Sequence, residues 1–273
     1  MPTADRISLN TATVREQWSL AECIEGCQRH GIGGIAPWRD KLHEMGTAQA
    51  AKAIRAAGLE VSGLCRGGWY TAEGALTQGV RDDNRRAVDE AAEIGAACLV
   101  MVVGGLAEGS RDLAGARAVV EEGLADTLDY ARAAGVKVAI EPLHPMYAAD
   151  RACVNTMGQA LDICDRLGHG IGVACDAYHV WWDPELKRQM LRAGPERLLA
   201  WHICDWLVPT RDLLTDRGMM GDGVIDLPLL ASWAAEAGFE GLHEVEIFSA
   251  LDWWTRDPDE VLATIVERGA TVC

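Results

Sequence analysis

Residues 136–141 read VKVAIE and residues 171–176 read IGVACD. Each has at least three consecutive apolar residues directly before a final acid, residues 138–140 in the first run and 173–175 in the second. A parallel strand covered on both faces requires this pattern, whereas a half-exposed strand alternates apolar and polar residues. A stretch with helical spacing, residues 157–167, lies between them. The two runs therefore predict a strand, a helix and a second strand within one parallel sheet.

The same unit recurs along the whole chain. The predicted strands are residues 6–10, 33–38, 61–65, 97–103, 136–141, 171–176, 199–204 and 242–248, and the predicted helices are residues 20–30, 45–57, 84–94, 113–134, 157–167, 184–193, 227–237 and 259–268. Several helices run into glycine, which adopts the left-handed C-cap conformation without strain. Eight such units in about 250 residues are typical of a (β/α)8 barrel.

The fold prediction is therefore α/β, a single (β/α)8 TIM barrel, with residues 1–273 as a single TIM-barrel domain because no linker or shift in composition marks a boundary. A doubly wound sheet is the alternative. No Gly-x-Gly-x-x-Gly follows the first predicted strand, so nothing indicates a dinucleotide fold.

Composition limits the partners and the compartment. The chain has 273 residues, 49% of them apolar, which is enough for a sizeable core. With 25 Lys and Arg against 41 Asp and Glu, the formal net charge of −16 argues against nucleic acid and anionic membranes as partners. Nine scattered cysteines predict reduced thiols, and the sequence shows no targeting or spanning segment. We expect a cytoplasmic protein, with a homo-oligomer possible.

Polar residues follow four successive predicted strands, at Glu141, Asp176, His202 and Glu246. The carboxyl ends of the strands in a closed parallel barrel form its mouth, so these four side chains can converge. Three carboxylates there would repel one another unless a cation neutralised them, and three oxygens with one imidazole suit Mn²⁺, Mg²⁺, Co²⁺ or Zn²⁺. Singly, each acid is as well explained by a helix cap or an ion pair, and the histidine by core packing. The run of four favours one divalent metal ion.

The surrounding motifs resemble a known family. Residues 140–143 (IEPL), Asp176-x-x-His179, His202-x-x-Asp205 and Glu246-x-Phe248 resemble the xylose-isomerase-like TIM-barrel superfamily, most closely its sugar isomerase and epimerase branch. The resemblance implies that Glu141, Asp176, His202 and Glu246 hold one divalent metal and that Glu141 and Glu246 are catalytic. Glu244 shares a strand face with Glu246 and remains the rival fourth ligand, although the Glu-x-Phe context favours Glu246.

The same resemblance implies a substrate-orienting pair, His179 and Arg217, and a further family position at residues 155–156. We also predict substrate contacts for His144 and Trp181. Ketose 3-epimerases carry a second acid soon after their Glu-Pro-Leu, where this chain has residues 144–147 (HPMY), so it departs from them there.

Two further features have alternative explanations. Seven of the ten tryptophans follow predicted strands and either stack on a sugar or only pack loops, namely Trp38, Trp69, Trp181, Trp182, Trp206, Trp253 and Trp254. Residues 217–223 (RGMMGDG) form either a mobile lid that carries Arg217 or an ordinary turn into the helix that Asp226 caps.

These residues predict a metal-dependent isomerase or epimerase of a keto sugar or related polyol, acting by proton abstraction beside a carbonyl through a metal-stabilised enediolate. The alternative is a metal-dependent dehydratase or lyase that acts on an inosose or a 3-keto-glycoside by β-elimination. An abasic-site endonuclease is disfavoured by the net charge of −16. A sugar-binding barrel without catalysis is disfavoured by the presence of all four ligand types.

Overall fold

The computed structural model describes residues 2–73 and 76–273. Its strands are, in chain order, β1 (Ile7–Asn10), β2 (Gly34–Ala36), β3 (Glu60–Val61), β4 (Leu64–Gly68), β5 (Leu99–Val102), β6 (Val138–Ile140), β7 (Ile171–Asp176), β8 (Leu198–Ile203), β9 (Asp205–Trp206), β10 (Arg217–Gly218) and β11 (His243–Val245). Nine of them form a parallel sheet in the order β3-β2-β1-β11-β8-β7-β6-β5-β4, and β9 pairs with β10 as a separate antiparallel ribbon. The predicted barrel fold is confirmed.

The helices of the described residues lie outside this sheet. They are α1 (Leu20–His30), α2 (Arg39–Met45), α3 (Thr47–Ala57), α4 (Tyr70–Glu73), α5 (Gln78–Ile94), α6 (Leu113–Ala134), α7 (Met157–Leu167), α8 (Ala177–Val180), α9 (Leu186–Arg197), α10 (Leu227–Glu236) and α11 (Pro258–Val272). The short α8 and the β9–β10 ribbon, which the sequence did not predict, both lie in loops after barrel strands. None of the described helices is long and apolar enough to cross a membrane.

Two predicted strands differ from those observed. The third, residues 61–65, is divided into β3, which pairs with β2, and β4, which pairs with β5. A parallel bridge between Trp38, which follows β2, and Cys65 in β4 completes the ring. The eighth was predicted to reach residue 248, but β11 ends at Val245 because the Ile247 N–H donates to Thr13 Oγ1 instead of a neighbouring strand.

The barrel interior explains why the site residues face inward. Ala139, Ala174 and Ala200 belong to a small apolar cluster, separate from the main core that the helices cover. Each of these alanines lies two residues before Glu141, Asp176 and His202 respectively, and alternate residues of a strand share a face. The small side chains therefore fill the interior, and the polar ones follow on the same side.

The nine cysteines are all buried and unpaired. Burial raises the pKa of Cys23 and of Cys164, each to about 12, so these thiols stay protonated at neutral pH. Cys23 and Cys27 lie in the main core, and Cys175 and Cys204 pack beside the site without facing its cavity.

Candidate active site

Four buried side chains converge at the carboxyl ends of β6, β7, β8 and β11. Glu141, Asp176, His202 and Glu246 each present a ligating atom, and these atoms lie within 4.8 Å of one another. We call this set the acid–imidazole group. The structure therefore brings together all four residues that the sequence proposed as metal ligands.

His202 lies between two carboxylates. Its Nδ1 is 3.1 Å from Glu141 Oε1, and its Nε2 is 3.4 Å from Glu244 Oε1. Burial alone would lower the pKa of His202, but Glu244 and Glu141 raise it well above its ordinary value. The Nδ1 atom thus faces the acid–imidazole group, while Nε2 faces a carboxylate outside it.

Arg217 fills the space between two members of the group. Its Nη1 donates to Asp176 Oδ2 at 2.9 Å and to Glu246 Oε2 at 3.2 Å. Its Nη2 lies 3.2 Å from His179 Nε2. Because an arginine only donates, this contact leaves the proton of neutral His179 on Nδ1. That atom is buried and has no hydrogen-bond partner among the described residues.

Negative charge exceeds positive charge in this buried space. Burial, with a smaller contribution from Glu141, raises the pKa of Glu246 to about 8 against the opposing effect of Arg217. Burial would also raise the pKa of Asp176, but Arg217 and His179 hold it below its ordinary value. The group relieves its repulsion by keeping a proton on Glu246 and on His202. A divalent cation would neutralise the same atoms, and its preferred ligands are these oxygens and this nitrogen, so the donor set fits one.

Glu244 lies beside the acid–imidazole group and has other partners. Its Oε1 accepts from Asn10 Nδ2 at 2.7 Å and its Oε2 from Ser62 Oγ at 2.7 Å. Glu244 and His202 are partners in the register of β11 with β8, which explains why this carboxylate faces Nε2. A carboxylate behind a metal-binding histidine fixes the ring orientation in many metal sites. The geometry thus favours Glu246 as the fourth ligand and Glu244 as the residue that orients His202.

A cavity of about 240 Å³ opens onto this group. Glu141, Glu246, His179 and Arg217 line it, whereas Asp176 and His202 lie beneath its surface. The rest of the lining consists of cationic and apolar side chains, namely Arg15, Trp38, Cys65, Arg66, Val102, Leu143, Tyr147, Arg151, Leu214 and Phe248. Two carboxylates therefore reach the space that a small ligand would occupy.

Comparison with known proteins places the chain in a family. The model of a family described as "Xylose isomerase-like TIM barrel" matches residues 24–265. This chain belongs to that family. The assignment confirms the resemblance that the motifs indicated.

Several members of the family and related folds are similar to this chain. A protein of Sinorhizobium meliloti 1021 with a crystal structure is 60% identical, with a TM-score of 0.97 and coverage of 99% of both chains. An inosose isomerase of Bacillus velezensis is 28% identical over 155 residues, which cover 55% of this chain and 53% of that enzyme. That match therefore spans about half the length of the isomerase. The IOLI protein, crystallised with a zinc atom, shares the fold at 20% identity, with a TM-score of 0.80 and coverage of 98% of this chain and 97% of that one.

Backbone hydrogen bonds to Asp205 hold the segment that carries Arg217 in a turn, one of the two alternatives that the sequence offered. Asp205 accepts hydrogen bonds from four backbone N–H groups, those of residues 206, 221, 223 and 225, at 2.8 to 3.0 Å. A Cβ at Gly223 would lie 2.1 Å from the Trp206 carbonyl oxygen, so this position requires glycine. We call residues 217–225 with Asp205 the Asp205 turn. It fixes the backbone on which Arg217 enters the site.

The remaining predicted substrate residues lie beside the cavity. His144 contacts the Trp182 and Trp206 rings, with centroids 5.6 and 5.1 Å away, and Trp181 packs against Trp206. Neither His144 nor Trp181 lines the cavity itself. Among the seven tryptophans expected at the mouth, Trp38 lines it, while Trp253 is buried and donates to Asp222. Asn155 donates to the carbonyls of Leu143 and Ala152 and so supports the loop after β6.

Among the site residues that sequence reasoning missed are Asn10, Arg66 and Arg151. Asn10 is the last residue of β1 and also donates to Glu246 Oε1 at 3.1 Å. The rule that the carboxyl ends of strands form the mouth would have identified it, had it been applied to all eight strands. Arg66 and Arg151 line the cavity, but surface arginines are so common that no sequence pattern distinguished these two.

Proposed function

We propose that this chain is a divalent-metal-dependent isomerase or epimerase of a keto sugar or related polyol. The observation that supports it most is the acid–imidazole group, two of whose carboxylates line the cavity while the other two ligating residues lie beneath it. The similarity to an inosose isomerase over about half its length supports an isomerase. The zinc atom bound to the IOLI protein, which shares this fold, supports a divalent metal here.

Glu141, Asp176, His202 and Glu246 would hold the cation, with His202 using Nδ1. When bound, the cation would act as a Lewis acid that makes the C–H beside a substrate carbonyl more acidic. Asp176 and His202 are covered by protein and serve only as ligands in this proposal. Glu141 and Glu246 face the cavity and have a second role.

The two glutamates move the proton. They lie on strands that β7 and β8 separate, so their carboxylates approach a bound sugar from different sides. One removes the proton from the carbon beside the carbonyl, and the other returns a proton to the opposite face for epimerisation or to the next carbon for isomerisation. His179 Nδ1, a donor without a protein partner, orients a sugar oxygen. Arg217 keeps Glu246 and Asp176 in place.

The test is proton exchange with solvent. Purified protein is incubated in deuterated water with a panel of ketoses, inososes and 3-keto-glycosides, and deuterium incorporation and enone absorbance are both followed. We expect at least one sugar to gain deuterium and to yield an isomer or epimer, and the protein to contain about one divalent ion per chain. A Glu141→Gln variant should lose the exchange, since the amide cannot accept the proton.

Two results would contradict the proposal. Wild-type turnover by Glu141→Gln would show that this carboxylate does not take part. Formation of an enone, with no deuterium in the recovered sugar, would identify the enzyme as a dehydratase or lyase. In that reaction the intermediate formed by proton removal expels an oxygen from the β-carbon.

A further inference from the structure

The cavity rim carries arginines that no carboxylate of the cavity lining balances. Arg15, Arg66 and Arg151 line the cavity, and the two carboxylates in the same lining are Glu141 and Glu246, which belong to the acid–imidazole group. The formal net charge of the chain is −16. A concentration of positive charge in one cavity of so acidic a chain is a local feature that favours an anionic ligand.

Each rim arginine is held by an aromatic ring. The guanidinium carbon of Arg15 lies 5.5 Å from the Trp38 ring centroid, that of Arg66 lies 4.5 Å from Trp69, and that of Arg151 lies 5.8 Å from Tyr147. These distances are typical of cation–π contacts. Stacking fixes the plane of a guanidinium while leaving its N–H groups free at the edge, so these side chains are preorganised to donate.

The three arginines differ in how far they are already neutralised. Arg15 is paired with Asp40. Arg151 has a 3.6 Å contact with the solvent-exposed Asp150, longer than a hydrogen bond and screened by water. Arg66 has no ion pair within the part of the chain that the structure describes, although it is half-buried. Burial lowers the pKa of Arg66, and the neighbouring cations Arg151 and Arg39 lower it further against the opposing effect of Asp83.

Trp69, whose ring lies under Arg66, has an uncommon backbone conformation. Trp69 has a φ of 56°, in the left-handed region that a bulky residue seldom adopts. The Trp69 N–H donates to the Val102 carbonyl oxygen at 2.8 Å, which holds that conformation. Uncommon backbone conformations are typical of functional sites, and here the conformation places the indole under Arg66, which itself lines the cavity.

We propose that the substrate carries an anionic oxygen group, a carboxylate or a phosphate, which Arg66 and Arg151 bind. The inference rests on the proposed function and narrows the keto sugar to a sugar acid or sugar phosphate. The acid–imidazole group takes the carbonyl end of the substrate, and the two rim arginines take its anionic end. A neutral sugar would leave Arg66 without a counter-charge in a partly desolvated wall.

The test uses three sugars that differ only at carbon 6: glucose, glucuronate and glucose 6-phosphate. Each is titrated calorimetrically into the full-length protein with its metal bound. We expect at least one of the two acids to bind tenfold or more tightly than glucose, and the better acid identifies the group as carboxylate or phosphate. Arg66→Met and Arg151→Met should each reduce that preference at least fivefold, and Arg66→Lys should retain part of it.

The matched control is Arg166→Met. Arg166 is an exposed arginine that is paired with Glu121 outside the cavity, so its loss should leave the preference unchanged. Equal binding of the three sugars, or equal losses in the Arg66→Met and Arg166→Met variants, would overturn the proposal. Because the titration reads binding and not turnover, its failure is distinguishable from an absence of deuterium exchange, which would instead contradict the proposed function.

Discussion

Asp176 and Asp205 have the same sequence signature and different surroundings. Each is a buried acid at the carboxyl end of an apolar strand: Asp176 is the last residue of β7, and Asp205 lies two residues after β8. Asp205 accepts four backbone N–H groups and contacts no other carboxylate of the site. Asp176 accepts one backbone N–H, that of Tyr178 at 2.8 Å, and its other oxygen faces Arg217 within the acid–imidazole group.

The comparison shows how a structural carboxylate differs from one that is available for binding. Four N–H donors use the acceptor capacity of Asp205 and leave it none for a cation. Asp176 keeps acceptor capacity and lies among like charges, which only a cation compensates fully. An acid after a strand therefore predicts a binding role only when the backbone does not already satisfy it.

The largest effect is expected within the acid–imidazole group. Glu141→Gln should lower deuterium exchange by roughly 10²- to 10⁴-fold, since general acid–base groups contribute about that much. The substitution conserves shape, so the melting temperature should change little. Exchange kinetics and thermal unfolding on the same preparation check both parts. A large loss of stability with normal exchange would contradict this, because Glu141 would then be a structural carboxylate like Asp205.

A substitution in the Asp205 turn should lower the stability of the protein and leave the metal site intact. Asp205→Asn places an amide NH₂ against two N–H donors, and losing hydrogen bonds to a buried charge costs about 3 kcal/mol of unfolding free energy. Metal content should stay near that of the wild type. Urea unfolding with metal analysis checks this. Asp226→Asn is the control, because Asp226 caps α10 and asparagine caps equally well, so stability should hardly change.

A smaller effect is expected at Glu244. If it orients His202 through Nε2, Glu244→Gln should weaken metal binding by about 10- to 100-fold while the protein stays folded. Competition with a metal indicator measures the affinity. Glu60→Gln is the control: it also removes one carboxylate charge, but at an exposed residue of β3, and should have no effect. Complete loss of metal in Glu244→Gln would instead make Glu244 a direct ligand.

The last effect, a pH dependence of stability, is expected only in the metal-free protein. The folded-state pKa of Glu246 is raised to about 8, above its ordinary value of 4.5, so the folded state binds this proton more tightly. The resulting stability is present at acid pH and is lost as pH rises from about 5 to 8, with a slope of at most about 1.4 kcal/mol per pH unit. Glu246→Gln should remove this slope in chelator-treated protein. An identical pH profile in both proteins would show that Glu246 is not protonated in the folded state.

The sequence anticipated the second half of the barrel better than the first. Apolar runs that end at Glu141, Asp176 and His202 predicted both the strands and the site, because alternate residues of a strand share one face. No sequence pattern predicted that the third strand divides into β3 and β4. It arises from ring closure, in which the residues around Ser62 pair with β2 on one side and β5 on the other.

The choice between Glu244 and Glu246 shows where sequence reasoning stopped. Two residues apart on one strand, both face inward, so periodicity treats them alike. The register of β11 with β8 sets Glu244 opposite His202, whereas Glu246 belongs to the group of converging ligating atoms. On this geometry we propose Glu246 as the ligand. Likewise, only the folded chain shows that Arg217, 41 residues after Asp176, donates to it.

By itself, the sequence determined the alternation of strands and helices, the parallel barrel and the four residues at the strand ends, because hydrophobic periodicity and strand order are local properties of a chain. The tertiary structure decided which buried acids are satisfied by backbone and which remain available, and it placed Arg66 and Arg151 on one cavity wall. Those properties depend on hydrogen-bond partners and charges that lie tens of residues apart, so they exist only once the ring has closed.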